Sequence, residues 1–333
     1  MRRLVPLLLC LLLGVGSAAP AAPLEASAVR GFIINMNEKH GFDADALTRT
    51  FARVNRIDRI IELIAKPAEK VKPWYQYRQI FITDKRIRDG AAFWRANEQS
   101  VLRAADTYGV APEVIIAIIG VETSYGANVG SYRVIDALST LAFHYPGNDS
   151  ARATFFRTQL EQFLLLARDE HLDPLTPTGS YAGAMGMPQF MPDSYRRLAV
   201  DFDGDGKRNI WNDADDAIGS VANYLHEHGW RRAGPVTTKA HLGGANPATF
   251  LKTTIKPDFR LSDFTGAGIM PARSGNPDDE AALFELEGAN GNEYWIGYTN
   301  FYVISRYNPR VKYAMAVAQL SEEIRKLHGG PGS

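Results

Sequence analysis

The chain is 333 residues long, 45% hydrophobic and 22% charged, with 37 basic and 37 acidic side chains. That is ordinary globular composition, enough for one large or two to three small domains. A formal net charge of zero, with no block of basic residues, sets nucleic acid aside as a partner.

Residues 1–21 read as a secretory signal. Arg2 and Arg3 form a charged start, residues 4–15 an apolar run too short to span a membrane, and residues 17–22 a small-residue stretch. Cleavage after Ala21 fits Ala19-Pro20-Ala21 and leaves 35 basic against 37 acidic side chains, a formal charge of −2. The single cysteine, Cys10, sits inside this run, with Leu9 before it and Leu11 to Leu13 after it. That context reads as signal core rather than a lipidation site. The mature chain then has no disulfide and no thiol chemistry. A soluble protein of a bacterial periplasm is expected.

Residues 22–106 read as an N-terminal helical domain. Phe32, Ile33 and Met36, the patch 51–54 and the segment 57–64 place apolar side chains at helical spacing. Residues 66–73 hold two prolines and interrupt the pattern. Trp74-Tyr75-Gln76-Tyr77-Arg78 then clusters aromatic rings. Core packing is the simpler reading, but sugar sites also use exposed aromatics, so Tyr77 is a candidate. Residues 90–108 predict one helix burying Phe93, Val101, Leu102 and Ala105.

The stretch 111–126 opens a catalytic core expected over 107–228. Its eight residues 114–121 carry no polar side chain. So short a run fits a buried helix or a buried strand. Its β-branched content favours a strand, whereas Pro112 and Glu113 suit a first helical turn and Gly126 a stop, so the prediction is a helix. Glu122 stands at its far end. Burial raises a carboxyl pKa, and a helix C-terminus disfavours negative charge. Both effects favour the protonated form near neutral pH, as a general acid requires. A glutamate emerging into solvent is the plainer alternative.

Helical spacing recurs over 132–143 and 154–168. Residues 180–192, Ser-Tyr-Ala-Gly-Ala-Met-Gly-Met-Pro-Gln-Phe-Met-Pro, then predict a tight loop. Its glycines allow close backbone approach to a ligand, with Ser180 and Gln189 presenting polar groups; a purely structural loop is the alternative. Over 201–216, Asp201, Asp203 and Asp205 at positions 1, 3 and 5 with Gly206 at position 6 match an EF-hand loop. Lys207 would offer its carbonyl. Position 12 is Asn212 rather than a bidentate glutamate, and Asp215 or Asp216 could close a longer loop. An acidic solvated turn is the alternative. Asp213 predicts an N-cap for a helix through His226 burying Ile218, Val221, Ala222 and Leu225.

Residues 229–292 lose helical periodicity and predict a small β-rich domain, with segments such as 250–255 and 282–286. Residues 293–333 return to the core, with a helix over 311–327. Tyr294-Trp295, Asn300-Phe301-Tyr302, Arg306-Tyr307-Asn308 and Tyr313 could stack on a sugar and bond its hydroxyls, though core packing accounts for most of them. His226-Glu227-His228 lacks the spacing of metal-ligating histidines on a helix.

Three segments together resemble one family. They are Gly120-Val121-Glu122-Thr123-Ser124-Tyr125-Gly126, the loop 182–192, and Asp216-Ala217-Ile218-Gly219-Ser220-Val221-Ala222-Asn223-Tyr224. In that order they resemble the membrane-bound lytic murein transglycosylase B family, over about residues 77–313. The resemblance implies a mainly α (α+β) protein, with a lysozyme-like helical core, an additional helical domain and a small β domain. It implies Glu122 as the single catalytic residue, and substrate contacts at Tyr77, Ser180, Gln189, Tyr224, Tyr307, Asn308 and Tyr313. It implies a structural calcium held by Asp201, Asp203, Asp205, Lys207 and Asp216, with no cofactor for catalysis. The implied reaction is cleavage of the β-1,4 bond of peptidoglycan with formation of a 1,6-anhydro ring, Glu122 acting as acid and then as base. Peptidoglycan glycan strands are the expected partner, other cell-wall enzymes a further class, and a monomer the expected state. A hydrolytic muramidase, with a second carboxylate, and a non-catalytic peptidoglycan-binding scaffold are the rival readings.

Overall fold

The computed structural model describes residues 24–65, 72–147, 149–251 and 254–329. The expected signal, Cys10 included, and most of the break at 66–73 lie outside them. The chain divides into two compact units, one of residues 72–125 and 218–329, the other of residues 24–65 and 126–217.

In chain order, α1 (Ala26–His40), α2 (Ala44–Phe51) and α3 (Asp58–Ala65) begin the second unit. Asp43 caps α2 by accepting from the amides of Asp45 and Ala46. The first unit starts with α4 (Trp74–Phe81), α5 (Asp84–Ala96), α6 (Glu98–Tyr108) and α7 (Pro112–Thr123). The single helix expected over 90–108 is therefore two. Asn97 leaves helical geometry at φ −123° and its side chain donates to the Phe93 carbonyl, the local competition with the backbone that asparagine offers. Leu102 is 51% exposed, not buried, because α6 turns Ser100, Val101 and Ala104 inward instead.

The second unit continues through β1 (Tyr132–Arg133), α8 (Val134–Phe143), α9 (Ser150–Asp169), β2 (Thr178–Gly179) and α10 (Pro192–Leu198). β1 pairs antiparallel with β2, with Tyr132 opposite Gly179. α11 (Ala214–Glu227) is capped by Asp213, which accepts from the amides of Asp215 and Asp216 as its sequence position predicted.

The rest belongs to the first unit. β3 (Thr237–His241), β4 (Phe259–Arg260), α12 (Leu261–Gly266), β5 (Met270–Pro271), β6 (Glu280–Gly288) and β7 (Gly291–Tyr298) precede α13 (Thr299–Ile304) and α14 (Val311–Gly329). The five strands form an antiparallel sheet in the order β4-β6-β7-β3-β5. β7 runs to Tyr298, past residue 292, the expected limit of the β-rich domain. Tyr294, Trp295 and Ile296 pair across to Glu285, Phe284 and Leu283, so aromatics read as ligand candidates are sheet residues. Leu261, Phe264, Ile269, Leu283 and Ile296 fill the core of the sheet.

α7 is the buried axis of the first unit, packed by α14, α5 and α6. Every side chain from Val114 to Val121 is at most 1% exposed. The β-branched run is a helix because it is surrounded on all sides and its ends carry helix signals, Pro112 in the first turn and a left-handed exit at Ser124. Removing one such side chain, Ile116→Ala for example, costs about 2–5 kcal/mol. This packing draws 72–125 together with the C-terminal helix, so neither 106 nor 228, the expected limits of a catalytic core, divides the two units. Among the described residues no single helix is long and apolar enough to cross a membrane.

Candidate active site

Glu122 occupies the last turn of α7. The helix stops two residues before the expected Gly126. Ser124 and Tyr125 both take left-handed backbone angles, at φ 51° and 61°, and their amides return to the carbonyls of Gly120 and Ile119. Two contacts pay the strain of this non-glycine turn. The guanidinium of Arg86, itself 9% exposed, donates to Ser124 Oγ at 2.9 Å, and the Tyr125 hydroxyl donates to the Arg86 carbonyl at 2.8 Å. The sequence does not single out Arg86, because a charged residue in an amphipathic helix reads as solvent-facing.

The Glu122 side chain keeps some contact with solvent yet is densely walled by protein. Burial pushes its pKa up to about 7, against the opposing hydrogen bond that Tyr313 donates to Oε1 at 2.6 Å. Among the described residues no second carboxylate and no cation contributes to that shift. At neutral pH the group is thus poised between acid and base.

Four tyrosines stand around it. Tyr313, on α14, is fully buried, and burial together with the Glu122 charge holds its hydroxyl well above the ordinary phenol range. Tyr307 is raised in the same way by burial, the neighbouring Tyr224 and Glu122. Tyr77, on α4, is pushed up to about 12 by burial, with Arg310 opposing and Glu122 adding. Tyr224 is anchored through its hydroxyl to the Arg306 carbonyl at 2.7 Å, with its ring 4.2 Å from Tyr307 and stacked at 4.1 Å on His228. Asn308 is 5% exposed beside them in sequence. Tyr77 and Tyr307 retain surface, while Tyr224, Asn308 and Tyr313 form the buried backing. Asn300, by contrast, is a structural clamp: its amide exchanges hydrogen bonds with Arg231 and donates to the Gly234 carbonyl.

Ser180 and Gln189 lie in the other unit. Ser180 Oγ accepts from the Ala184 amide at 3.0 Å, which leaves its hydroxyl proton to donate. Gln189 sits at φ 52°, and its amide nitrogen donates to the carbonyls of Val129 and Gly186, leaving its oxygen as the acceptor. The loop's glycines serve packing rather than a ligand. A Cβ on Gly183 would lie 2.4 Å from Leu138, and one on Gly186 2.4 Å from the Ile210 carbonyl.

In the acidic loop, Asp201, Asp203 and Asp205 bring carboxylate oxygens within 4.8 Å of one another, all exposed. Desolvation and the charges of Asp205 and Asp213 outweigh the Asp205 amide, the largest single influence, which alone would lower Asp203; the net result is a raised pKa. Such mutual repulsion is what a hard cation relieves, and the donor set, all oxygen, suits calcium. Asp216 is outside this cluster. It is 1% exposed, and its two oxygens accept from the amides of Phe202 and Asn209, each at 2.6 Å, tying the loop's ends together.

A family model described as "Transglycosylase SLT domain" matches residues 25–322. The chain is 44% identical over 302 residues to membrane-bound lytic murein transglycosylase B of Escherichia coli (strain K12), covering 88% of this chain and 81% of that protein. Among solved structures, it is similar to soluble lytic transglycosylase SltB1 from Pseudomonas aeruginosa, at 48% identity and TM-score 0.85, covering 91% of this chain and 99% of that one. It is similar to the Escherichia coli lytic transglycosylase Slt35 in complex with calcium, at 42% identity and TM-score 0.82, covering 91% and 94%. It is also similar to Pseudomonas aeruginosa SltB3 in complex with NAG-anhNAM-pentapeptide, at 29% identity and TM-score 0.80, covering 89% and 78%.

Proposed function

This chain belongs to the transglycosylase SLT-domain family and is a peptidoglycan lytic transglycosylase with a lysozyme-like fold, and we propose that Glu122 alone carries both proton transfers of its reaction. The single observation behind this reading is the environment of Glu122: a carboxyl raised to about 7 by burial, bonded to Tyr313, with no second carboxylate acting on it among the described residues. Glycosidases that use water position two carboxylates.

Protonated Glu122 donates to the oxygen between N-acetylmuramic acid and N-acetylglucosamine as the bond from that oxygen to muramic C1 breaks. The carboxylate left behind is stabilised by the Tyr313 hydroxyl. It then takes the proton of the muramic C6 hydroxyl as O6 closes on C1, giving the 1,6-anhydro end and restoring the acid. Tyr77 and Tyr307 offer partly exposed aromatic faces to the sugar, with Tyr224 and Asn308 behind them. In the other unit, Ser180 keeps a hydroxyl donor and Gln189 an amide acceptor, groups suited to a polar ligand. The anhydro-muramic ligand of SltB3 and the calcium of Slt35 are properties of those proteins that this reading extends to the present chain.

Calcium would be held by the carboxylates of Asp201, Asp203 and Asp205 and the Lys207 carbonyl. Asp216 closes the loop, each of its oxygens retaining a lone pair beyond the amide it already accepts. Its contribution is structural. The signal read in the sequence of residues 1–21 supports a periplasmic enzyme.

Mass spectrometry of the soluble products from purified sacculi tests the chemistry. Anhydro-muropeptides with the wild type, and none with Glu122→Gln, are the expected result. Reducing muropeptides would replace this mechanism with hydrolysis.

A further inference from the structure

Two glycines of the first unit occupy helix interiors where the backbone does not require them. Gly120 stands in the apolar run of α7 and Gly90 inside α5, both buried and neither with a positive φ. Glycine in a helix interior lowers stability relative to alanine, so each position needs a packing reason.

Both glycines meet the same side chain. A Cβ on Gly120 would lie 2.5 Å from the Tyr125 hydroxyl oxygen, and 2.6 and 2.7 Å from two carbons of its ring. A Cβ on Gly90 would overlap the same hydroxyl and lie 2.7 Å from Ile324 Cδ1 of α14. The phenol thus lies in a notch that two missing side chains leave between α5 and α7. Phe93 of α5 flanks it, with ring centroids 5.7 Å apart. The hydroxyl ends on the Arg86 carbonyl, and burial holds it well above the ordinary phenol range, so it stays a donor at neutral pH. The backbone is strained to achieve this. Tyr125 takes φ 61°, an angle glycine would adopt freely, and only the seating of the ring gives a reason for tyrosine there.

The notch and the reacting carboxyl belong to one stretch of α7. Glu122 lies two residues past Gly120, about 200° further round the helix. Tyr125 therefore braces the back of the turn whose front carries Glu122. On α14, Ile324 lies eleven residues past Tyr313, about three turns, so one face of that helix reaches both the notch and Glu122. A displaced phenol would move the end of α7 against Tyr313.

We propose that Tyr125, seated between Gly90 and Gly120, is a positioning residue that holds the last turn of α7 so that the Glu122 carboxyl meets the Tyr313 hydroxyl. Its consequence for turnover rests on the reading of Glu122 above.

The test reads Glu122 directly, by NMR titration of its carboxyl carbon in the full chain, assigned by its absence from Glu122→Gln, alongside kinetics on sacculi. Gly120→Ala puts a methyl in the notch and leaves every polar group of the site in place. In that variant the Glu122 pKa is expected to rise above the wild-type value, because the Tyr313 bond that favours the carboxylate is lost. kcat is expected to fall about tenfold or more, with KM within about twofold of the wild type. Tyr125→Phe keeps the ring seated and should lose less. Combined with Gly90→Ala it should lose less than the two separate effects together, since the hydroxyl that the new methyl meets is gone. Thermal melts check folding; should Gly120→Ala fail to fold, Tyr125→Phe, Gly90→Ala and their combination carry the test. A folded Gly120→Ala with wild-type titration and kcat overturns the proposal, as do strictly additive effects of Tyr125→Phe and Gly90→Ala. A Glu122 titration that moves as expected, in a protein whose wild type yields no anhydro product, would sink the catalytic reading and leave this one standing.

Discussion

The Tyr313 hydroxyl donates to Glu122 Oε1 at 2.6 Å, joining the C-terminal helix to the end of the buried central helix. This bond favours the carboxylate, whereas burial favours the acid, and burial is the larger effect. Tyr313→Phe removes only the hydroxyl, so the pKa of Glu122 rises further. The basic limb of kcat/KM against pH, which reports loss of the acid in the free enzyme, should move to higher pH. Turnover at neutral pH should fall about tenfold, because the carboxylate loses the donor that orients it. A basic limb at its wild-type position would show that Tyr313 does not govern the titration.

The same shift makes stability depend on pH. The folded pKa of Glu122, about 7, exceeds its ordinary value of 4.5. A group raised in this way contributes fully below the unfolded pKa, and the contribution disappears as pH climbs through the folded one. Glu122→Gln has no such charge to bury. Relative to the wild type, the variant should gain about 1–3 kcal/mol between pH 4.5 and pH 8, the upper figure reduced for the solvent contact the side chain keeps. Urea unfolding of both proteins at pH 5 and pH 8 measures the difference. A constant difference across that range would contradict the burial assigned to Glu122.

Arg86 supports the turn after the catalytic residue without facing it. Its guanidinium holds Ser124 and reaches the Ile80 carbonyl at 3.3 Å, while its own carbonyl receives the Tyr125 hydroxyl. Arg86→Lys keeps the charge but loses the fork. A loss of about 2–3 kcal/mol is expected, since hydrogen bonds to a charged group contribute about 1.5–3 kcal/mol each and lysine replaces them only in part. kcat should fall more than KM rises, because Glu122 is displaced rather than the sugar contacts. Thermal melts and steady-state kinetics separate the two effects, and a variant with wild-type kcat would confine Arg86 to stability.

The parts of this molecule legible in the sequence are those where local chemistry and tertiary packing agree. Pro112, the unbroken apolar run and Glu122 announce a buried helix with an acid at its end, and Asp213 announces the start of α11. The illegible parts depend on partners distant in sequence. Leu102 is apolar yet faces out, because α6 buries a face of small residues, Ser100 and Ala104. Tyr294 and Trp295 carry the same aromatic signal as Tyr307, and only their pairing with β6 makes them sheet residues. Asn300 and Arg86 are polar residues whose burial is compensated by carbonyls and a hydroxyl that no spacing rule points to. Gly183 and Gly186 show the converse: the sequence reveals that glycine is required, but not that the close neighbours are Leu138 and Ile210.

The acidic loop yields a prediction independent of catalysis. Asp201, Asp203 and Asp205 are held close by amides of their own loop, and the repulsion among them is a standing cost in the absence of a cation. Calcium that binds only the folded chain stabilises it by mass action, by about 2.7 kcal/mol at a hundredfold excess over Kd. For a chain of this length melting cooperatively, that raises Tm by about 4 °C. Asp203→Asn removes one carboxylate and its repulsion together. The variant should therefore melt at or above the wild-type Tm in chelator, yet gain less than the wild type when calcium is added. Asp216→Asn should behave differently. It replaces a buried acceptor of two amides with a side chain that has only one carbonyl oxygen, so it should lower Tm with and without calcium. A wild-type Tm unmoved by calcium or chelator would remove the ion from this loop and leave Asp216 with the purely structural role its two amide contacts already show.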